Sequence, residues 1–253
     1  MDIKKWAQKL DAAAMQATPI EQISTEIQYS EDQAYQIQLA SMQERYGRGD
    51  ELIGLKLGFT SYAKMEQMGV HDMIWGRLTQ NMLVENGGSI DLSNFIHPRA
   101  EPEICFKLSK DLDREITLEE APDFVEGVAA AIEIIDSRYQ NFKFSLEDVV
   151  ADNCSSSAFV VGTWHKPDTN IQNLLMQLLF DEEEVAKGSS NDILGNPWLS
   201  VVNAARLAKK YDQPFVKGSY LMAGASTPAI FIKPKTEVIA KVEGFSVVSF
   251  NVN

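Results

Sequence analysis

The chain has 253 residues, with 23 lysines and arginines against 36 aspartates and glutamates, for a net charge of −13. Apolar residues make up 45% and charged residues 23%, an ordinary globular balance that excludes long disorder, collagen-like repeats and a disulfide scaffold. So acidic a surface repels nucleic acid and anionic membranes, and any anionic substrate then needs a locally positive site, a metal or a placed lysine. Cys105 and Cys154 sit in apolar or small-residue segments, as buried, reduced thiols do. Met1 to Trp6 lacks the apolar run of a signal peptide, and nothing approaches the roughly 18 apolar residues of a membrane span. A cytoplasmic protein is expected.

Residues 1–50 read as a helical subdomain and 51–253 as a second domain. Trp6, Leu10, Ala13 and Ala14 recur at helical spacing. Thr18-Pro19-Ile20-Glu21 predicts an N-cap followed by a short helix, and Ser30 to Gln33 reads as a capping box. Tyr35, Leu39, Met42 and Tyr46 then share one helical face, and Gly47 to Asp50 ends the helix.

From Glu51 onward short apolar runs alternate with glycine and proline. Strands are expected at 52–58, 103–108, 130–135, 158–162, 220–223, 229–232, 238–242 and 247–250. Helices are expected at about 60–68, 118–129, 145–151 and 198–211, and 181–192 reads as a solvated polar connection. The mixture predicts an α+β fold with a strongly bent sheet behind a helical N-terminal layer.

The strongest chemical signal is Arg99-Ala100-Glu101-Pro102-Glu103-Ile104-Cys105-Phe106. On an extended chain Glu101 and Glu103 point to one side and Ile104 and Phe106 to the other. An inward carboxylate pair needs a cation, and two hard oxygens facing one point suit Mg²⁺ or Mn²⁺; a solvated strand face is the alternative. Glu133 stands inside the apolar run Ala129 to Ile135, either paired with Arg138 or, if its strand lies beside the first, a third ligand. Lys56, between Leu55 and Leu57, either snorkels to the surface or points into a pocket and works in proton transfer. Thr60 and Ser61 follow it as helix caps or as donors to a carboxylate. The small-residue run Ala151 to Ser157 is plain turn chemistry or a donor-lined pocket wall. His71, His97 and His165 are not at metal-site spacings. No P-loop, dinucleotide fingerprint, CxxC or serine-hydrolase set is present.

Five segments in order resemble the hydratase/decarboxylase branch of the fumarylacetoacetate hydrolase superfamily: Gly54 to Ser61, His97 to Ile104, Glu133 to Tyr139, Ala151 to Ser156, and Ile193-Leu194-Gly195-Asn196-Pro197. Glu133, in Glu-Ile-Ile-Asp-Ser-Arg, favours this branch over the hydrolases, whose third acidic ligand is more typically aspartate. The run from Ala63 to Val70 and Tyr139 to Phe144 look like the decarboxylases, and both are expected at the distal end of the pocket or its lid. Met73, Ser190-Asn191-Asp192 and Asn196 depart from the family pattern.

The resemblance implies a bent mixed β-roll of the family's C-terminal type and a Mg²⁺ or Mn²⁺ ion held by Glu101, Glu103 and Glu133. It implies Lys56 as the catalytic partner of the metal, with Thr60, Ser61, Ser155 and Ser156 as substrate contacts. The implied reaction is decarboxylation of 2-oxo-3-hexenedioate to 2-hydroxypenta-2,4-dienoate in aromatic meta-cleavage catabolism. Hydration of that dienoate, hydrolysis of an acylpyruvate and a non-catalytic metal-binding partner subunit are the alternatives. Family members form homo-oligomers, and the decarboxylases tend to associate with a hydratase.

Overall fold

Two sheets carry the fold. The computed structural model describes residues 1–61, 65–66, 70 and 72–253. The larger sheet contains β1 (Leu52–Gly58), β2 (Ile74–Thr79), β3 (Leu83–Val84), β5 (Arg99–Leu108), β6 (Val125–Ile135), β7 (Ser156–Val161), β10 (Tyr220–Ala225) and β11 (Ile230–Phe231). Its order is β2-β1-β10-β5-β6-β7-β3, with β11 paired to the start of β5. Side chains alternate across it as a pleated strand requires. Leu78, Cys105, Ala131, Phe159 and Met222 form a small core on one face, while Ile104, Phe106, Ala130, Ile132 and Leu221 join the main core on the other. The sheet curls as a half-barrel around the smaller core, which is the bent mixed roll expected.

The second sheet, in the order β4-β13-β12-β8-β9, contains β4 (Ser89–Ile90), β8 (Leu175–Phe180), β9 (Glu183–Ser189), β12 (Glu237–Val242) and β13 (Val248–Val252). Strands β12 and β13 pack on β5, β6 and β7. The polar connection expected at 181–192 is therefore corrected. Glu183 to Ser189 pair antiparallel with β8 as an edge strand whose charged side chains remain in water. The helix expected at 118–129 is also overturned: only Ala121–Phe124 forms a 3₁₀ turn, and Val125 begins β6. The alanine-rich run looked helical because β6 is buried on both faces, which erases the period-2 signal. The helix expected at 60–68 falls mostly outside the described residues.

The helical layer is α1 (Ile3–Met15) and α2 (Glu31–Gly47). Asp2 caps α1 by accepting from the Lys5 N–H, and Ser30 with Gln33 forms the expected capping box on α2. No helix starts at Pro19; Ile20 instead donates its N–H to the Arg138 carbonyl at 2.9 Å, and a 3₁₀ turn follows at Ile23–Thr25. Helix α3 (Leu146–Ala151) and helix α4 (Trp198–Lys210) lie where expected. Asp148 ties α3 to the N-terminal layer, accepting from the Ser24 N–H (3.0 Å) and the Tyr29 hydroxyl (2.6 Å). Among the described residues no helix is long and apolar enough to cross a membrane.

The polypeptide after β6 is held by a buried ion pair. Arg138 donates from Nε to Asp152 Oδ1, from its backbone N–H to Asp152 Oδ2 at 2.9 Å, and to Ser157 Oγ at 2.8 Å. Removing one member leaves the other charged and buried. Asp152→Ala is expected to lower unfolding stability by about 3–5 kcal/mol, measured by denaturant titration. A loss below about 1 kcal/mol would show the pair to be no more than a surface-type contact.

Candidate active site

The register of β5 and β6 builds the site. Glu101 lies directly opposite Glu133, and Glu103 opposite Ala131, so the three carboxylates occupy one face of two adjacent strands. Each offers an oxygen, and these oxygens lie within 4.8 Å of one another. Glu103 and Glu133 are fully buried. The solvated strand face is thereby excluded for Glu103 and Glu133.

Lys56 reaches the same point from β1. The residue is 4% exposed, and Nζ donates to Glu133 Oε2 at 3.0 Å. It does not snorkel, and Glu133 does not pair with Arg138, whose carboxylate partner is Asp152. The remaining oxygen demand is partly met by backbone. Between Met222 and Ala225 the β10–β5 register slips, and the Gly224 N–H turns to donate to Glu103 Oε2 at 2.9 Å. Gly224 has φ +104°, and a Cβ there would lie 2.0 Å from Thr60 Oγ1, so only glycine fits.

Among the described residues, Glu103 Oε1 and Glu133 Oε1 are buried without a hydrogen-bond partner. Two orphaned carboxylate oxygens beside a third carboxylate, with hard oxygen donors only, fit a Mg²⁺- or Mn²⁺-type cation. The electrostatics agree. Burial first, then the charges of Glu133 and Glu101, hold the Glu103 carboxyl well above its usual range, against the opposing pull of Lys56 and the Gly224 N–H. Burial opposes the Lys56 ammonium, but the carboxylates of Glu133, Glu101 and Glu103 outweigh it and raise its pKa.

A cavity of about 180 Å³ opens on this cluster. Lys56, Glu101, Thr60 and Ser61 line it, and its apolar walls include Phe59, Ile74, Ile135, Phe144 and Val149. Thr60 and Ser61 are thus brought to the site. Ser155 and Ser156 are buried close by but do not line this cavity; Cys154 does. Asn153, Cys154 and Ser155 all have positive φ (48°, 51° and 59°), so the alternation a strand would give is lost there. Burial pushes the Cys154 thiol up to about 12, and Cys105 also lies well above its ordinary value, as inert thiols do.

Of the two decarboxylase-like segments, Tyr139 to Phe144 delivers Phe144 to the cavity wall. The run from Ala63 to Val70 lies outside the described residues except for Met65, Glu66 and Val70; Met65 packs with Met73 and Leu194. The divergent Asn191, Asp192 and Asn196 accept hydrogen bonds from the Asn173, Ser189 and Trp198 N–H groups and do not line the cavity. Ile74, Ile135 and Val149 also line the cavity, and no local sequence signal distinguishes a pocket-lining aliphatic residue from a core one.

Residues 63–253 match the family described as fumarylacetoacetate (FAA) hydrolase C-terminal. The chain is 49% identical to a 4-oxalocrotonate decarboxylase from a Pseudomonas species, covering 99% of this chain and 98% of that protein. It is 33% identical to a 2-keto-4-pentenoate hydratase from Paraburkholderia xenovorans (strain LB400), over 80% of this chain and 77% of that one. Among solved structures, 4-oxalocrotonate decarboxylase from Pseudomonas putida G7, complexed with magnesium and adipate, superposes with a TM-score of 0.94. That match has 30% identity and covers 99% of this chain and 97% of the other.

The raised Glu103 carboxyl makes metal binding and protonation compete. A raised carboxyl stabilises the metal-free fold at low pH, and that contribution is lost as pH rises through its folded-state pKa. A divalent cation removes the penalty. The gain in Tm on adding Mg²⁺ is expected to be larger at about pH 8 than at about pH 5, by differential scanning calorimetry. A gain independent of pH would contradict a titrating carboxylate at the binding point.

Proposed function

Because the chain belongs to the fumarylacetoacetate hydrolase C-terminal family, within its 4-oxalocrotonate decarboxylase and 2-keto-4-pentenoate hydratase branch, we propose that it is a lyase. Its reaction is the divalent-metal-dependent decarboxylation of 2-oxo-3-hexenedioate to 2-hydroxypenta-2,4-dienoate. One observation carries the reading: Lys56 and the Glu101–Glu103–Glu133 cluster meet at the head of a small cavity whose other walls are mainly apolar.

Glu101, Glu103 and Glu133 hold Mg²⁺ or Mn²⁺, which supplies Lewis-acid stabilisation of the negative charge that develops on a 2-oxo acid. This chain's own groups do the rest. The apolar walls fit the hydrocarbon middle of the substrate and exclude bulk water. When the distal carboxylate leaves as CO₂, the bonding pair passes through the conjugated double bond to the 2-oxo oxygen, giving a dienolate. A proton must then reach that oxygen to give the 2-hydroxy dienoate. Lys56 keeps a proton at Nζ beside the carboxylate cluster, where it stabilises the oxyanion and can protonate it. Thr60 and Ser61 are substrate contacts at the wall; Ser155 and Ser156 act through the turn that seats Cys154. Assembly as a homo-oligomer, with a hydratase as associate, belongs to the same reading.

Hydration of the dienoate is the second reading, supported by the hydratase relatives. With Mg²⁺, purified protein is expected to release CO₂ from 2-oxo-3-hexenedioate faster than it converts 2-hydroxypenta-2,4-dienoate to 4-hydroxy-2-oxopentanoate. Product NMR on both substrates decides; hydration without CO₂ release would reverse the assignment. Lys56→Met is expected to lower kcat about 10²- to 10⁴-fold while Mg²⁺ still binds. A change confined to KM would instead make Lys56 a uniform binder of the substrate anion.

A further inference from the structure

A second cavity, of about 380 Å³, opens between the helical layer, β3, β4 and the start of β7. It shares no lining residue with the cavity of the carboxylate cluster, although Ile135 lines one and Asp136 the other. Two arginines, Arg45 and Arg138, line it. Arg138 is committed to Asp152 and to Ser157 Oγ. Arg45 is not committed to any group.

Arg45 stands in the last turn of α2, where the helix dipole favours a cation. That preference does not require burial, yet Arg45 is only partly exposed. Among the described residues it forms no ion pair, and its guanidinium donates no hydrogen bond. Burial first, and then the charge of Arg138, lower its pKa, against the pull of Asp50 and Asp11. Both of those carboxylates serve other groups: Asp50 accepts from the Glu51 and Asn81 N–H groups, and Asp11 from Arg48. Of the two acids in the cavity wall, Asp136 accepts from the Ile96 and His97 N–H groups at 2.8 Å, and Asp91 from the Ser93 N–H at 2.9 Å. The fold thus brings a second guanidinium towards Arg138 and supplies it no counterion, a cost that a bound anion removes.

The lining also sets the class of anion. Asp91 and Asp136 are part of the wall, and Arg138 is already neutralised by Asp152, so only one negative charge is matched. Val84, Ile90 and Phe95 leave an apolar stretch for a short hydrocarbon. Asn81 and Asn94 are exposed and bring side-chain amides to the same cavity, where they meet a hydroxyl or oxo group. We propose that this cavity is a second ligand site, separate from the metal cavity, for a small monocarboxylate with a hydroxyl or oxo group at its other end. The planar fork of Arg45 offers two parallel donors to the carboxylate, and the charge of Arg138 adds to the attraction. The site does not depend on which reaction the metal cavity runs.

The test titrates 4-hydroxybutyrate calorimetrically into the Mg²⁺-loaded protein, with 1,4-butanediol as its uncharged counterpart. The unmodified protein is expected to bind the carboxylate with a Kd of about 1 mM or tighter and the diol not at all. Arg45→Met is expected to weaken that binding at least about 10-fold. Because the substitution removes a charge without a counterion, Tm is expected to stay the same or rise; Arg45→Gln serves if the methionine variant does not fold. Glu103→Gln is expected to leave 4-hydroxybutyrate binding at this site unchanged. Binding that survives both Arg45 variants and disappears in Glu103→Gln would place the carboxylate on the metal and overturn the proposal. So would no binding up to about 10 mM. Tighter binding of inorganic phosphate than of 4-hydroxybutyrate would overturn the monocarboxylate class. A smaller assembly for Arg45→Met in gel filtration would assign the guanidinium to a contact between subunits instead.

Discussion

Three carboxylates and one ammonium packed at one point, mostly out of contact with water, are the constraint around which this structure is arranged. Glu101, Glu103 and Glu133 repel one another in a medium that screens them poorly, and Lys56 neutralises only part of their charge. Such a cluster persists because the strands that carry it are held by interactions made elsewhere. The antiparallel β5–β6 ladder runs without a register change from Arg99–Ile135 to Lys107–Gly127, and it sets Glu101 against Glu133. The slip in β10 that frees the Gly224 N–H for Glu103 is a local cost, accepted where a carboxylate oxygen needs a donor.

The supporting elements can be read in the same terms. Gln38 on α2 donates to the carbonyls of Trp75 and Val150, linking the helical layer to β2 and α3. The Asn153 side chain exchanges two hydrogen bonds with the backbone of Arg77, at 2.7 and 2.9 Å. This fixes the left-handed turn that brings Cys154 to the cavity. Gly76 lies against that turn: a Cβ there would be 2.5 Å from the Asn153 carbonyl oxygen. Rigidity in this second layer keeps the distances within the carboxylate cluster fixed when charge develops on a substrate.

Much of the site was legible in the sequence because charge in an apolar context is a local signal. Glu101 and Glu103 at alternate positions, Glu133 between isoleucines and Lys56 between leucines each break a hydrophobic pattern. The partner of Glu133 was not legible. Arg138 is five residues away in sequence but serves Asp152, whereas Lys56 comes from a strand not adjacent to β6. Elements failed where burial erased periodicity or exposure mimicked a loop. The alanines of β6 are covered on both faces, and the charged edge strand β9 reads as a connection. Ser155 and Ser156, which the resemblance implies as substrate contacts, stand beside Cys154 in a turn of successive left-handed residues, and of the three only Cys154 lines the cavity.

Glu101, Glu103 and Glu133 serve as metal ligands in the proposed reaction; the alternative is a self-contained ionic network with Lys56. Calorimetric titration of Mn²⁺ into the protein and into Glu103→Gln separates the two, since the substitution keeps the shape of the side chain and removes its charge. If the carboxylates are metal ligands, affinity is lower by about 10- to 100-fold in the variant, with the fold retained by circular dichroism. Unchanged Mn²⁺ affinity in a folded Glu103→Gln protein would contradict it.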